Sequence, residues 1–86
     1  MTPKFTQYSK AKAIKQGITP HEIVKMLASE KTMVMESKND EDAMLSYGVI
    51  KDKLWVIVSN WRTRSVITVY PATEEERRFY EQENKS

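Results

Sequence analysis

Three lysines, Lys10, Lys12 and Lys15, stand close together in "YSKAKAIKQG". On a helix, Tyr8, Lys12 and Gln16 recur every four residues and share one face, which Lys15 borders. Farther along, Trp61, Arg62 and Arg64 cluster in "NWRTRS", and Thr68 and Tyr70 follow in "SVITVYP". Cations interleaved with aromatic rings suit single-stranded RNA, whose bases stack on the rings and whose phosphates meet the cations. The same residues also fit a plainer arrangement. Trp61 and Tyr70 would be half-core side chains, and the lysines a solvated face. The residue types alone leave both open.

Other chemistries are poorly served. His21 is the one histidine, so a two-histidine ribonuclease mechanism is excluded. It falls in the first turn of a helix, whose positive end disfavours an imidazolium, so a surface position is expected. There is no cysteine, hence no disulfide and no thiolate nucleophile. No cluster has zinc-ligand spacing. Gly17 and Gly48 are the two glycines, too few for a phosphate-cradling loop. Asp40 and Asp42 in "NDED" could hold a hard cation weakly, but a solvated turn is the expectation. No metal or cofactor is expected.

At 86 residues the chain is read as one domain, with a core over about 5–82 and a tail at 83–86. Hydrophobic residues at 40% and charged residues at 30% argue against disorder. No apolar run approaches the roughly 20 residues of a spanning helix, and "MTPKFTQYSK" lacks the apolar centre of a signal peptide. A cytoplasmic site of action, away from membranes, is expected. The net charge of +2 is mild but unevenly spread. Residues 1–31 hold six lysines against Glu22 and Glu30, while the acids gather in "ESKNDED" and "EEERRFYEQE". A positive and a negative face follow, and a positive face draws in polyanions.

The elements that position these residues can be read in turn. A first helix is expected over Phe5 to Gln16, with Phe5, Tyr8, Ala11 and Ile14 as a narrow apolar stripe. Gly17 ends it and Ile18 turns back to the core. "TPHE" is a capping box with proline at the first helical position, opening a second helix that ends near Glu30. The period then changes. "TMVMES" reads as a short strand. "AMLSYGVI" and "KLWVIVSN", joined by "KD", read as a hairpin, and "SVITVYPA" as the last strand. In "KLWVIV", Leu54, Val56 and Val58 share one face and Trp55 and Ile57 the other, which marks a central strand with a second face for a partner or ligand. Thr73 and Glu76 form another capping box before a polar C-terminal helix. The fold class is α+β: two N-terminal helices packed on a three- to four-stranded antiparallel sheet, with a short C-terminal helix.

The order of a basic helix, "QGIT", "PHEIVKML", and "KLWVIVSN" leading to "SVITVYP" resembles a family of small bacterial proteins related to the BrnT and RelE toxins. These belong to the barnase–EndoU–colicin–RelE (BECR-fold) grouping of ribonucleases. The tail "YPATEEERRFYEQ" is similar to the end of BrnT. The resemblance spans roughly residues 5–82. It places the family's helix-one histidine at Tyr8, its first arginine at Lys12, the arginine before the glycine at Gln16, and the last strand's hydroxyl and tyrosine at Thr68 and Tyr70. It implies a metal-independent RNA endonuclease, a hydrolase-like toxin of a toxin–antitoxin pair, cleaving tRNA or ribosome-bound mRNA by attack of the ribose 2′-OH. Tyr8 or Lys12 would be the base, with a pKa brought down from its usual value near 10. Arg64 and Arg62 would stabilise charge on the phosphorus, and Thr68 or Tyr70 would position the phosphate. Lys10, Lys15, Gln16, Trp61, Arg62 and Tyr70 would bind RNA around the catalytic Tyr8, Lys12, Arg64 and Thr68. A cognate antitoxin or immunity protein is the implied partner. With tyrosine where the family has histidine, the alternative is a catalytically inactive module of the same fold that binds nucleic acid or a partner protein.

Overall fold

The computed structural model describes residues 3–37 and 41–84. The order is β1 (Lys4–Phe5), α1 (Gln7–Lys15), α2 (Pro20–Leu27), β2 (Met33–Glu36), β3 (Ala43–Ile50), β4 (Lys53–Asn60), β5 (Ser65–Pro71) and α3 (Glu74–Asn84). The five strands form one sheet in the order β1-β5-β4-β3-β2. The α+β class holds, but the sheet is larger than three or four strands and is mixed. β1 pairs parallel to β5 through Lys4↔Ser65 and Phe5↔Val66, and every other pair is antiparallel. A two-residue strand has no periodicity to read, so β1 exists through its partner. The Lys4 N–H donates to the Arg64 carbonyl at 2.8 Å.

The first helix begins two residues later than its composition suggests. Thr6 is its N-cap: Thr6 Oγ1 accepts from the Ser9 N–H at 3.0 Å, and Ser9 Oγ accepts from the Thr6 N–H at 2.9 Å. Serine replaces the usual glutamate of the capping box, and it does so fully buried. The expected apolar stripe is overturned. Tyr8 is 62% and Ile14 63% exposed, and Ala13 and Ser9 form the buried side instead. Tertiary packing on β5 outweighs a weak stripe of three or four apolar residues. Gly17 does end the segment, at φ 88, and Ile18 is buried.

α2 starts as read. Thr19 Oγ1 accepts from the Glu22 N–H at 3.2 Å, and the Glu22 carboxylate accepts from the Thr19 N–H at 2.9 Å. That backbone hydrogen bond, with Lys51 Nζ at 3.6 Å as a smaller cause, holds the Glu22 carboxyl below its ordinary range. The helix stops at Leu27, short of Glu30, because the Ser29 N–H and the Thr32 hydroxyl both take the Met26 carbonyl. The "KD" hairpin holds Lys51 at φ 53 and Asp52 at φ 65, a turn whose twist matches the strands.

β4 lies in the middle of the sheet, as its two apolar faces require. On one face Trp55, Ile57, Val66 and Val69 pack with Ala13, Ile18, Ile23 and Met26 of the N-terminal segment. On the other, Leu54, Val56 and Tyr47 pack with Met33, Met35, Leu45, Tyr70, Ala72 and Tyr80. The second face is therefore covered in part by the chain's own α3, where a partner or ligand was the expectation. Its capping box is present: Thr73 Oγ1 accepts from the Glu76 N–H at 3.2 Å.

Candidate nucleic-acid interface

The β4–β5 turn builds the most chemically distinctive surface. Asn60 Oδ1 accepts from the N–H groups of Arg62 at 2.9 Å and Thr63 at 3.1 Å, which folds the turn on itself. The Arg64 N–H donates to the Asn60 carbonyl at 2.7 Å. Arg64 itself sits at φ 62, a left-handed position that favours glycine or asparagine. Trp61 is pinned from both ends: its N–H donates to the Asp42 carbonyl at 3.0 Å and its Nε1 to the Glu41 carbonyl at 3.1 Å. The indole is nonetheless 49% exposed. Arg62 lies 5.2 Å from its ring centroid and is ion-paired, Nε to Asp42 Oδ1, at 2.8 Å. Arg64 has no ion pair or side-chain hydrogen bond among the described residues.

Beside this turn the helix-covered face of the sheet is left open where α2 ends. A groove of about 420 Å³ lies there. Leu27, Val34 and Met44 give it apolar walls, Ser46 and Ser59 a polar floor, and Trp61 and Arg64 line it at the turn. The sequence marks none of the apolar wall residues or floor serines as functional; Leu27 reads only as part of the apolar face of the second helix. A signal existed: Ser46 and Ser59 interrupt apolar strands at positions that share a face with Ile50, Trp55 and Ile57. A polar residue at a core-facing position asks for a reason.

The residues expected to act together are dispersed. Tyr8 and Lys12 do meet, with Lys12 Nζ 5.9 Å from the Tyr8 ring centroid on the outer side of α1. Lys10 and Lys15 are exposed on the same helix. Gln16 is engaged within the fold: its Nε2 donates to the Val69 carbonyl at 2.7 Å and ties the helix end to β5. Thr68 and Tyr70 pair with Val58 and Val56 and lie on the sheet face opposite α1. The reason is a bulge. Ser59 pairs with Val66 and Val58 with Thr68, leaving Ile67 without a partner, 41% exposed. Val66 and Val69 thus share the inner face, and the residues that alternate with them turn outward. A catalytic set of Tyr8, Lys12, Arg64 and Thr68 does not converge.

Tyr70 has a different role. Its hydroxyl donates to Glu76 Oε2 at 3.0 Å, and the Tyr47 hydroxyl donates to the same oxygen at 3.3 Å. Burial first, then the Glu76 hydrogen bond and charge, pushes the Tyr70 phenol up to about 12 from its ordinary 10.0. Tyr47 is raised by the same causes, burial first. A phenol that ionises less readily in the folded chain stabilises it fully below the unfolded value. That contribution is lost as pH rises from 10.0 through about 12. Thermal melts across this window are expected to show falling stability, with a shallower fall in Tyr70→Phe. An identical fall in that variant would assign the alkaline effect to other groups.

His21 is exposed, as expected. Among the described residues no three of histidine, cysteine, aspartate and glutamate gather as metal ligands; Asp40 lies outside them. No helix among them is long and apolar enough to cross a membrane. No family model, curated protein or solved structure matches the chain. The resemblance to BrnT- and RelE-like toxins rests on the sequence motifs alone.

Proposed function

We propose that this protein is a binding module for single-stranded RNA, without catalysis of its own. The observation that carries the reading is Trp61: a half-exposed indole, fixed by two backbone hydrogen bonds, beside the unpaired Arg64 guanidinium. A rigid exposed ring next to a free cation suits one base and its phosphate. Lys4, which pairs with Ser65 at the same end of the sheet, adds positive charge.

Fluorescence anisotropy with a short labelled single-stranded RNA tests this. Binding is expected at low salt, and with about three phosphates neutralised the affinity should fall with a log–log slope of roughly −2. Duplex RNA should bind more weakly, since its bases are not free to stack. No binding at low salt would remove the reading.

The contact of Lys12 with Tyr8 favours a second reading, the toxin-like endoribonuclease, cytoplasmic in action and held by an acidic antitoxin or immunity protein. Incubation with tRNA and translating ribosomes in EDTA separates the two. Products ending in 2′,3′-cyclic phosphate, lost in Lys12→Ala, would establish the nuclease.

A further inference from the structure

We infer that the groove beside Trp61 receives one unstacked nucleobase of the bound strand; this rests on the RNA-binding reading. The groove's volume of about 420 Å³ falls at the lower end of the roughly 300–1,000 Å³ of small-molecule sites. Its walls, Leu27, Val34 and Met44, are apolar on a scale that suits a flat ring. Its floor is polar where a core would not be. Ser46 is 3% exposed, lines the groove, and its hydroxyl makes no hydrogen bond among the described residues. Trp55 Nε1 is the one fully buried side-chain polar atom without a partner among the described residues, so the Ser46 hydroxyl is open to the groove, where a base edge offers both donors and acceptors to pair with it. Ser59 offers a second hydroxyl on the paired strand. Arg64 lines the same groove, within the guanidinium's reach for a phosphate joined to an inserted base. Its left-handed backbone is the second unusual feature at this spot, and strained residues gather at ligand sites. Trp61 then stacks the neighbouring base outside the groove.

The test uses Val34, which lines the groove and is 50% exposed, so a larger side chain can fill the space without disturbing the core. Val34→Phe is expected to weaken single-stranded RNA binding about tenfold, the effect of losing one base contact, with the thermal midpoint unchanged. Titrating the wild type with each nucleoside 5′-monophosphate, followed by amide chemical shifts, should move Val34, Met44 and Ser46. Ribose 5-phosphate should not move them. If RNA binds with full affinity to Val34→Phe and no monophosphate shifts these amides, the groove serves some other occupant, such as a peptide, and the inference is overturned while RNA binding stands. If no RNA binds to either protein, the RNA-binding reading itself has failed.

Discussion

Replacing Arg64 with glycine is expected to raise stability and weaken RNA binding together. The backbone at Arg64 has φ 62, where a side chain with a Cβ costs about 1–2 kcal/mol relative to the right-handed region. Glycine removes that strain but brings a more flexible unfolded chain, so a net gain of about 0.5–1 kcal/mol remains. In a domain of this size that is a rise in thermal midpoint of roughly 2–8 °C. The lost guanidinium is worth about 1.5 kcal/mol as a charge-assisted hydrogen bond to phosphate, near tenfold in affinity. Opposite signs in the two measurements are the signature of a position kept for its ligand. A stable variant with undiminished affinity would remove Arg64 from the interface. A destabilised one would show that the arginine side chain packs where the structure leaves it unpaired.

Gly48→Ala should cost about 1–3 kcal/mol, the range for overfilling a packed core. A Cβ at this position would lie 2.5 Å from Met26 Cγ, 2.8 Å from Sδ and 3.0 Å from Cε. All three are atoms of one side chain, which is how α2 comes to sit directly on β3. Met26→Ala alone should cost about 2–5 kcal/mol, since Met26 is 4% exposed. Because the second change removes what the first collides with, the double variant should be more stable than the sum of the two by at least about 1 kcal/mol. Urea unfolding of the four proteins measures it. Additive losses would mean that the methionine swings aside freely and that the glycine is not what sets the helix height.

How much of this was legible depended on whether the signal was local. The Thr19–Pro20–Glu22 start of α2, the Gly17 stop, the "KD" hairpin and the Thr73–Glu76 cap each need a few neighbouring residues, and each is present. The central place of β4 followed from Trp55 and Ile57 on one face and Leu54 and Val56 on the other. The Thr6–Ser9 cap was also local but was missed, because serine stood where glutamate marks the pattern. For the candidate site, Trp61, Arg62 and Arg64 were visible as a cluster. That Arg62 is engaged by Asp42 while Arg64 is not could not be seen, since the ion pair joins distant segments.

By itself the sequence determined the α+β class, the order of its helices and main strands, and the basic, aromatic turn before the last strand. These follow from periods and caps that act over one or two turns of chain. Only the tertiary structure decided which side each functional candidate takes. One bulge at Ile67 sends Thr68 and Tyr70 to the face away from α1, and Tyr70 becomes a partner of Glu76. The early end of α2 leaves open the groove that Ser46 lines, and the parallel pairing of β1 with β5 brings Pro3 to its edge. Strand register and helix placement are settled by contacts between residues far apart in the chain, and alternation along a strand cannot report where the count slips by one.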